Sequence, residues 1–388
     1  MSKKVSRREF VVVVAATSAG MLAAACSSAA STPTPAPTAV PATSGQTAPA
    51  AASGAKETDW NAVVDAARSE GQVVVQNPAG AGYRVALDEF ARAYPGVEAV
   101  QQSFPDSATY IPKIRAEREA GIHSIDVIAS TVIPVLQIMK PEGWIDPVRP
   151  LLVQPEVLDS NAWFGGFEAR WADTGKDMVF RHSFNITRPV YINTAQVNEG
   201  EIKTVDDLLN PKWKGKIVTS DVVQGYIYTP STMLRETKGE DFLRKLFVDQ
   251  QPQMIRDRRQ AIETLIRGNA AVGFGLHPII FSDFVKDGLA GDVKNIDVEG
   301  ASYSGGEIAS IYKGAPHPNA AKLFLNWLLS KDGQIAWSTN IGNNSARKDV
   351  PIVDPNEAPS DNPPMDPTQE DQIPKIGETQ RFLKTLVS

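Results

Sequence analysis

From Trp60 to Glu142, stretches with helical apolar spacing alternate with short β-branched runs, and this alternation confines the chain to sheets flanked by helices. Trp60, Val63, Val64 and Ala67 follow a helical period that stops at Gly71, and Val73 to Val75 then reads as a strand. After the turn Gly80-Ala81-Gly82, the residues Ala86, Leu87, Phe90, Ala91 and Tyr94 share one helix face ending at Pro95-Gly96. A strand over Val97 to Val100 follows, then a helix over Tyr110 to Ala120, a strand over Ile125 to Ala129 and a helix over Pro134 to Glu142. The pattern predicts an α/β fold with a mainly parallel sheet. In such sheets ligands sit beyond the carboxyl ends of the strands, which makes Tyr83, Arg84, Ser130 and Thr131 candidate contacts.

Residues 59–388 exceed the roughly 250 to 300 residues at which one core divides, so two lobes are expected. The second set of elements comprises strands over Phe184 to Asn193, Lys216 to Thr219 and Ala270 to Phe274. Helices are expected over Val205 to Leu209, Thr229 to Thr237, Gly239 to Phe247 and Arg258 to Arg267, and an extended segment over Ser302 to Tyr312. After Pro316 a strongly amphipathic helix presents Ala320, Leu323, Phe324, Trp327 and Leu328, and Ser330 is placed to cap the next helix, with Asp332 in its first turn. The Pro-, Asp- and Glu-rich stretch from Pro351 to Pro374 is expected to run over the surface.

The N-terminus reads as a processing segment. Lys3, Lys4, Arg7 and Arg8 precede an uncharged run from Phe10 to Ala25, which is too short and too interrupted for the roughly 20 apolar residues of a membrane span. Ser6-Arg7-Arg8-Glu9-Phe10 resembles a twin-arginine export motif, and Leu22-Ala23-Ala24-Ala25-Cys26 resembles a lipobox, with Leu22 one place further from the cysteine than the usual pattern. Residues 1–25 are therefore read as a signal peptide, and Cys26 as the lipidated first residue of a chain anchored at the outer face of the cell membrane. Residues 26–58, almost all Ala, Ser, Thr and Pro, read as a disordered tether. Cys26 is the one cysteine, so the mature chain has no internal disulfide and no cysteine nucleophile. Loss of residues 1–25 moves the formal net charge from −6 to −9, which argues against nucleic acid as a partner.

Catalytic signatures are missing: the sequence contains no Gly-x-Ser-x-Gly, no His-Glu-x-x-His and no Gly-x-x-x-x-Gly-Lys. Gly80-x-Gly82 begins like a dinucleotide fingerprint but has Val85 at the third glycine, and the following strand closes in Gln101-Gln102 rather than an acid. No enzyme, cofactor or metal centre is expected. The glycines instead suggest backbone amides at a helix start facing a polar or anionic ligand. Of the four histidines, His317 reads as part of a helix cap, His123 and His182 as surface residues, and His277, at the end of an apolar strand, as a candidate contact.

Three segments carry a family resemblance. They are Thr204-Val205-Asp206-Asp207-Leu208-Leu209-Asn210-Pro211-Lys212-Trp213-Lys214-Gly215-Lys216-Ile217, Ala315-Pro316-His317-Pro318-Asn319-Ala320-Ala321-Lys322-Leu323-Phe324 with its continuation Leu328 to Gln334, and Arg188-Pro189-Val190-Tyr191-Ile192-Asn193. They resemble the extracellular solute-binding proteins of ABC importers, in the group that takes up ferric iron, thiamine and phosphonates. The resemblance implies a two-lobed periplasmic-binding-protein-like type II fold, each lobe a mainly parallel sheet, joined by extended hinges. It places lobe 1 at residues 59–184 and 305–347, lobe 2 at 185–304, and a C-terminal segment, 348–388, on lobe 2. It also implies a monomer that binds a small solute between the lobes and presents it to an ABC permease, with no chemistry performed. An exported hydrolase and a structural lipoprotein are the rival classes.

With the lobes placed, Arg188, Tyr191, Tyr226, Tyr228, His277, Tyr303 and Ser304 join Tyr83, Arg84, Ser130 and Thr131 as candidate ligand contacts, with Arg347 a further candidate. Arg84 and Arg188 are expected to face each other as paired donors to a carboxylate, phosphate or phosphonate, which favours a small anionic or zwitterionic organic solute. Ferric iron is the alternative. The iron-binding relatives supply adjacent tyrosines, whereas this chain offers Tyr226-Ile227-Tyr228, whose phenols share a face in a strand and separate in a helix.

Overall fold

The first helical stretch becomes α1 (Trp60–Glu70), which buries Val63, Val64 and Ala67 against the first sheet. It leads into β1 (Gln72–Asn77), α2 (Ala81–Ala93), β2 (Glu98–Ser103), α3 (Ser107–Glu119) and β3 (Val127–Ser130). A computed structural model describes residues 60–104, 107–222 and 225–387, within a unit spanning Lys56–Ser388. The signal segment, Cys26 and the tether lie outside the described residues. The helix expected over Pro134 to Glu142 is a single wide turn, Val135–Met139, in which Lys140 N–H reaches back to Val135 C=O at 2.8 Å. Next come β4 (Ile145–Asp146), the short α4 (Pro155–Leu158) and β5 (Phe180–Arg181).

The chain then passes through β6 (Ser183–Thr187) into a second lobe built from β7 (Val190–Asn193), β8 (Ile217–Ser220), α5 (Tyr228–Lys238), α6 (Glu240–Arg244) and β9 (Gln253–Ile255). That lobe continues with α7 (Arg258–Ile266), β10 (Val272–Phe274), α8 (Pro278–Lys286) and β11 (Val293–Ile296). It returns through β12 (Tyr303–Gly305) to β13 (Ile308–Tyr312), α9 (Pro318–Leu329), α10 (Lys331–Ile341) and β14 (Asn344–Ser345), and ends in α11 (Ile373–Val387).

The described residues form three sheets: β2-β1-β3-β13-β4 with β5 also on β13, β11-β7-β10-β8-β9, and a small sheet β12-β6-β14. The expected parallel core is present in β2-β1-β3 and in β10-β8-β9. Antiparallel strands complete both lobe sheets, because β13 enters from the opposite direction after the return crossing and β7 enters straight from β6. The two crossings, β6 and β12, pair with each other (Tyr303 opposite Thr187), so the connection between the lobes is itself a short antiparallel ribbon.

Side-chain alternation assigns the faces. Val73 and Val75 enter the core beneath α1, α2 and α9, while Val74 and Ile128 face the other side of the sheet. In the second lobe Val190 and Ile192 face one core, and Tyr191 between them packs with Ile262, Leu265 and Phe284 of α7 and α8. Ser330 caps α10 as the sequence suggests, its hydroxyl accepting from Gly333 N–H at 3.1 Å. His182, expected at the surface, is fully buried. Its Nδ1 lies 3.1 Å from the Gln334 amide, its ring stands edge-on to Trp337, and burial pushes its imidazole down to about 3. Its neighbours Arg181 and Ser183 are buried as well, because β5 and β6 lie where lobe and hinge sheets meet.

Candidate functional site

Four sequence candidates converge beside the hinge ribbon on the second lobe. Tyr226 lies on the turn Gly225–Ile227 ahead of α5, and its ring centroid is 4.5 Å from that of His277. His277 is held at the start of α8 by Pro278 in the first helical position, where its missing N–H costs the helix nothing. Gly275, at φ +63°, makes the sharp turn out of β10 that delivers the histidine, and a Cβ there would lie 2.2 Å from the Ile227 side chain. Tyr191 reaches the same region from β7, edge-on to Phe281 at 5.0 Å. Tyr303, buried on β12, shares a hydrogen bond with the Thr187 side chain across the ribbon and lies close enough to feel both Tyr226 and Tyr191.

The electrostatics of this group are bipolar. Burial pushes the Tyr226 phenol up to about 12, the Glu357 carboxylate adds to the rise, and the Arg258 guanidinium opposes it. Burial also pushes the His277 imidazole down to about 4, with Arg258 adding to the fall, so the ring is neutral at neutral pH. His277 Nδ1 is buried and has no hydrogen-bond partner among the described residues, and such a group costs free energy unless something fills its bonding direction. Tyr191 and Tyr303 are raised chiefly by burial. The cluster therefore offers neutral hydroxyls and an imidazole between an arginine at the start of α7 and a glutamate from the C-terminal segment.

The first lobe holds a second group. The Tyr83 hydroxyl donates to Glu307, whose other oxygen accepts from Trp337 Nε1 at 2.9 Å, and Ser183 Oγ accepts from Glu307 N–H at 2.7 Å. Ser130, buried at the end of β3, pairs in register with Ile308 next to Glu307, and Thr131 beyond it is exposed.

Other candidates are not assembled as the sequence suggests. Arg84 is exposed and has no hydrogen bond or ion pair among the described residues. Arg188 donates to the Asn356 carbonyl and lies 3.9 Å from Asp297, so its guanidinium holds the C-terminal segment; the expected Arg84–Arg188 grip is not formed. The turn and helix separate the two phenols of Tyr226-Ile227-Tyr228. The Tyr228 hydroxyl donates to the Val222 carbonyl and accepts from Gln380 of α11 at 3.1 Å, which makes it a packing residue. Ser304 Oγ donates to the Pro364 carbonyl at 2.6 Å, again holding the tail. Arg347 is buried under Trp163, with its guanidinium on Asp349 and the Leu329 carbonyl. Sequence reasoning missed Arg258 and Glu357 because each sits in a polar stretch with no periodic or motif signal. Among the described residues no cluster of three or more His, Cys, Asp or Glu side chains is arranged to hold a metal ion, and no helix is long and apolar enough to cross a membrane.

Solved structures share this architecture. The chain resembles the Trichodesmium protein IdiA (FutA), solved in complex with iron and citrate, at 17% identity and a TM-score of 0.65 over 81% of this chain and 99% of that one. Iron-bound HitA of Pseudomonas aeruginosa matches at 17% identity and 0.61 over 80% and 99%. AfuA of Actinobacillus pleuropneumoniae, with fructose-6-phosphate bound, matches at 18% and 0.58 over 82% and 98%. These likenesses establish the two-lobed fold. An uncharacterised protein of Haemophilus influenzae is 31% identical over 187 residues, or 43% of this chain, and the match spans 51% of that relative's length. The family model described as bacterial extracellular solute-binding protein, a family of binding proteins rather than enzymes, matches residues 75–335, more than half of the sequence. The chain thus belongs to the bacterial extracellular solute-binding protein family.

Proposed function

We propose that this protein is the lipid-anchored receptor of an ABC importer, capturing a small anionic or zwitterionic organic solute between its lobes and delivering it to the permease on hinge closure. The observation that carries the reading is the group of Tyr191, Tyr226, His277 and Tyr303 gathered beside the β6–β12 ribbon, with His277 Nδ1 unpartnered and Arg258 within electrostatic reach. A neutral imidazole and phenols supply directional donors and acceptors, and Arg258 supplies the charge an anion needs. Solute touching both lobes stabilises the closed form by its differential affinity for it, and the β6–β12 ribbon is where the chain crosses between the lobes. Cys26, outside the described residues, tethers the receptor in this reading. Mass spectrometry of protein from native membranes is expected to find it lipidated at the mature N-terminus, and a soluble product cleaved elsewhere would remove the anchor.

The binding test is calorimetric titration of ligand-stripped protein with phosphonates, phosphate esters, carboxylates and ferric citrate. Binding from the organic panel that weakens about tenfold or more in Tyr226→Ala and His277→Ala, the scale of one or two lost polar contacts, is the expected outcome. The second reading is ferric iron, favoured by three tyrosines converging with His277 and Glu357. Tight ferric binding with a tyrosinate charge-transfer band and silence from the organic panel would replace the first reading with the second.

A further inference from the structure

We propose that Glu357 is a specificity residue of this site and reads a protonated amine, so that the solute is a zwitterion whose cation lies against Glu357, Tyr226 and Tyr191 and whose anion lies toward Arg258 and His277. The inference rests on the reading of the tyrosine–histidine cluster given above and narrows it. Glu357 comes from the turn Pro355–Glu357 of the C-terminal segment, far in sequence from every other member. That turn lies against the hinge strand β6, where Glu357 Oε2 accepts from Ile186 N–H at 3.3 Å. Its Oε1 makes no hydrogen bond among the described residues, and the residue is only partly exposed. The adjacent guanidinium, Arg188, is directed to the Asn356 carbonyl and toward Asp297 and forms no ion pair with Glu357 among the described residues, although its charge partly offsets the rise that burial imposes on the Glu357 carboxyl.

Aromatic faces beside a carboxylate are the surroundings that attract an organic cation, because the ring quadrupole and the carboxylate charge act in the same sense. A solute bearing only negative charge would meet repulsion from Glu357 in the same space. Glu357 is fixed at the ribbon by its bond to Ile186, which lies opposite Ser304 next to Tyr303, whereas Arg258 opens α7, which packs against α8, the helix that begins after His277. In keeping with this, the charge of Arg258 acts on Tyr226 and His277 and that of Glu357 on Tyr226 and Tyr191. Tyr226 is the residue between the two poles, and the amine and acid of one small molecule would bracket it.

The test compares matched probes on the full mature protein by calorimetry: 2-aminoethylphosphonate against ethylphosphonate, and 4-aminobutyrate against butyrate. The wild type is expected to prefer the aminated member of at least one pair by about tenfold or more, the range of a charge-assisted contact. Glu357→Gln, which keeps an acceptor for Ile186 N–H, is expected to lose that preference, because the aminated probe weakens while the deaminated probe, relieved of the repulsion, binds at least as tightly, and to keep its thermal midpoint. Glu357→Asp should recover part of the preference, which a residue acting only as an anchor for the tail would not do. Equal affinity for both members of each pair in the wild type, or a preference that survives in Glu357→Gln, would overturn the assignment while leaving an anion-binding receptor intact. Response to ferric citrate with none of the four probes bound would instead overturn the organic-solute reading and this one with it.

Discussion

Glu307 is buried, with the Tyr83 hydroxyl and Trp337 Nε1 donating to its two oxygens, yet burial outweighs both bonds and its carboxyl lies above the ordinary glutamate range. In the window between the unfolded and folded values, the folded state holds a proton that the unfolded state has released. The stability contributed by the protonated group is therefore present below the ordinary range and is lost as pH rises through the folded value. Glu307→Gln should remove this dependence, because its amide oxygen can accept from Trp337 while the Tyr83 hydroxyl turns to accept from its NH2 group. Thermal unfolding of the two proteins from about pH 4.5, near the ordinary glutamate value, to pH 7 should show the variant gaining on the wild type as pH rises. A constant difference across that range would mean that the buried carboxyl does not titrate as described.

At the scale of elements, the Gly80-Ala81-Gly82 turn has a different cause from the one its sequence suggests. A Cβ at Gly82 would lie 2.1 Å from the Asn340 carbonyl oxygen, so the glycine exists to let the start of α2 meet the end of α10 backbone to backbone. At Gly80 the nearest atom to such a Cβ is a Tyr83 ring carbon at 3.3 Å, a contact that a shift of a few tenths of an ångström relieves. Gly82→Ala is expected to cost about 1–3 kcal/mol through overpacking, measured by urea unfolding, and Gly80→Ala distinctly less. Equal costs would contradict the backbone contact as the cause. The same scale explains why helix existence was legible and tertiary role was not. The apolar spacing of α9 is a local property, whereas the neighbour that Gly82 must accommodate lies some 250 residues away in sequence.

Across the whole molecule the C-terminal segment acts as a strap rather than a tail on one lobe. Asp361 accepts from Gly165 N–H at 2.8 Å, and Glu370 pairs with Lys140 at 2.7 Å, both on the first lobe. Asp366 pairs with the buried Arg181 at 2.7 Å, next to the hinge. Beyond these, Lys375 and Glu378 of α11 pair with Glu236 and Arg235 on the second lobe, while Ile373, Ile376 and Leu383 join a core to which both lobes contribute. Removing one partner of a buried pair leaves an uncompensated charge, so Asp366→Ala should cost about 3 kcal/mol, moderated by the bonds Arg181 keeps to the Gly306 carbonyl and Thr368. Lys375→Ala, at a partly exposed pair, should cost under about 1 kcal/mol. Chemical denaturation separates the two, and similar costs would show that the buried end of the strap is not its stronger anchor.

The sequence by itself determined the class of fold, because helical and strand periods are written in neighbouring residues and need no knowledge of distant contacts. It also supplied Tyr191, Tyr226, His277 and Tyr303 as candidate contacts, which the structure brings together beside the ribbon. Only the tertiary structure decided their surroundings. Arg188 is turned to the C-terminal segment by the Asn356 carbonyl, Tyr228 is turned to α11 by Gln380, and Glu357 arrives from a stretch whose composition reads as surface loop. Those three outcomes depend on where the strap lies, and its path is set by ion pairs and hydrogen bonds to both lobes between residues far apart in sequence, for which no local pattern exists.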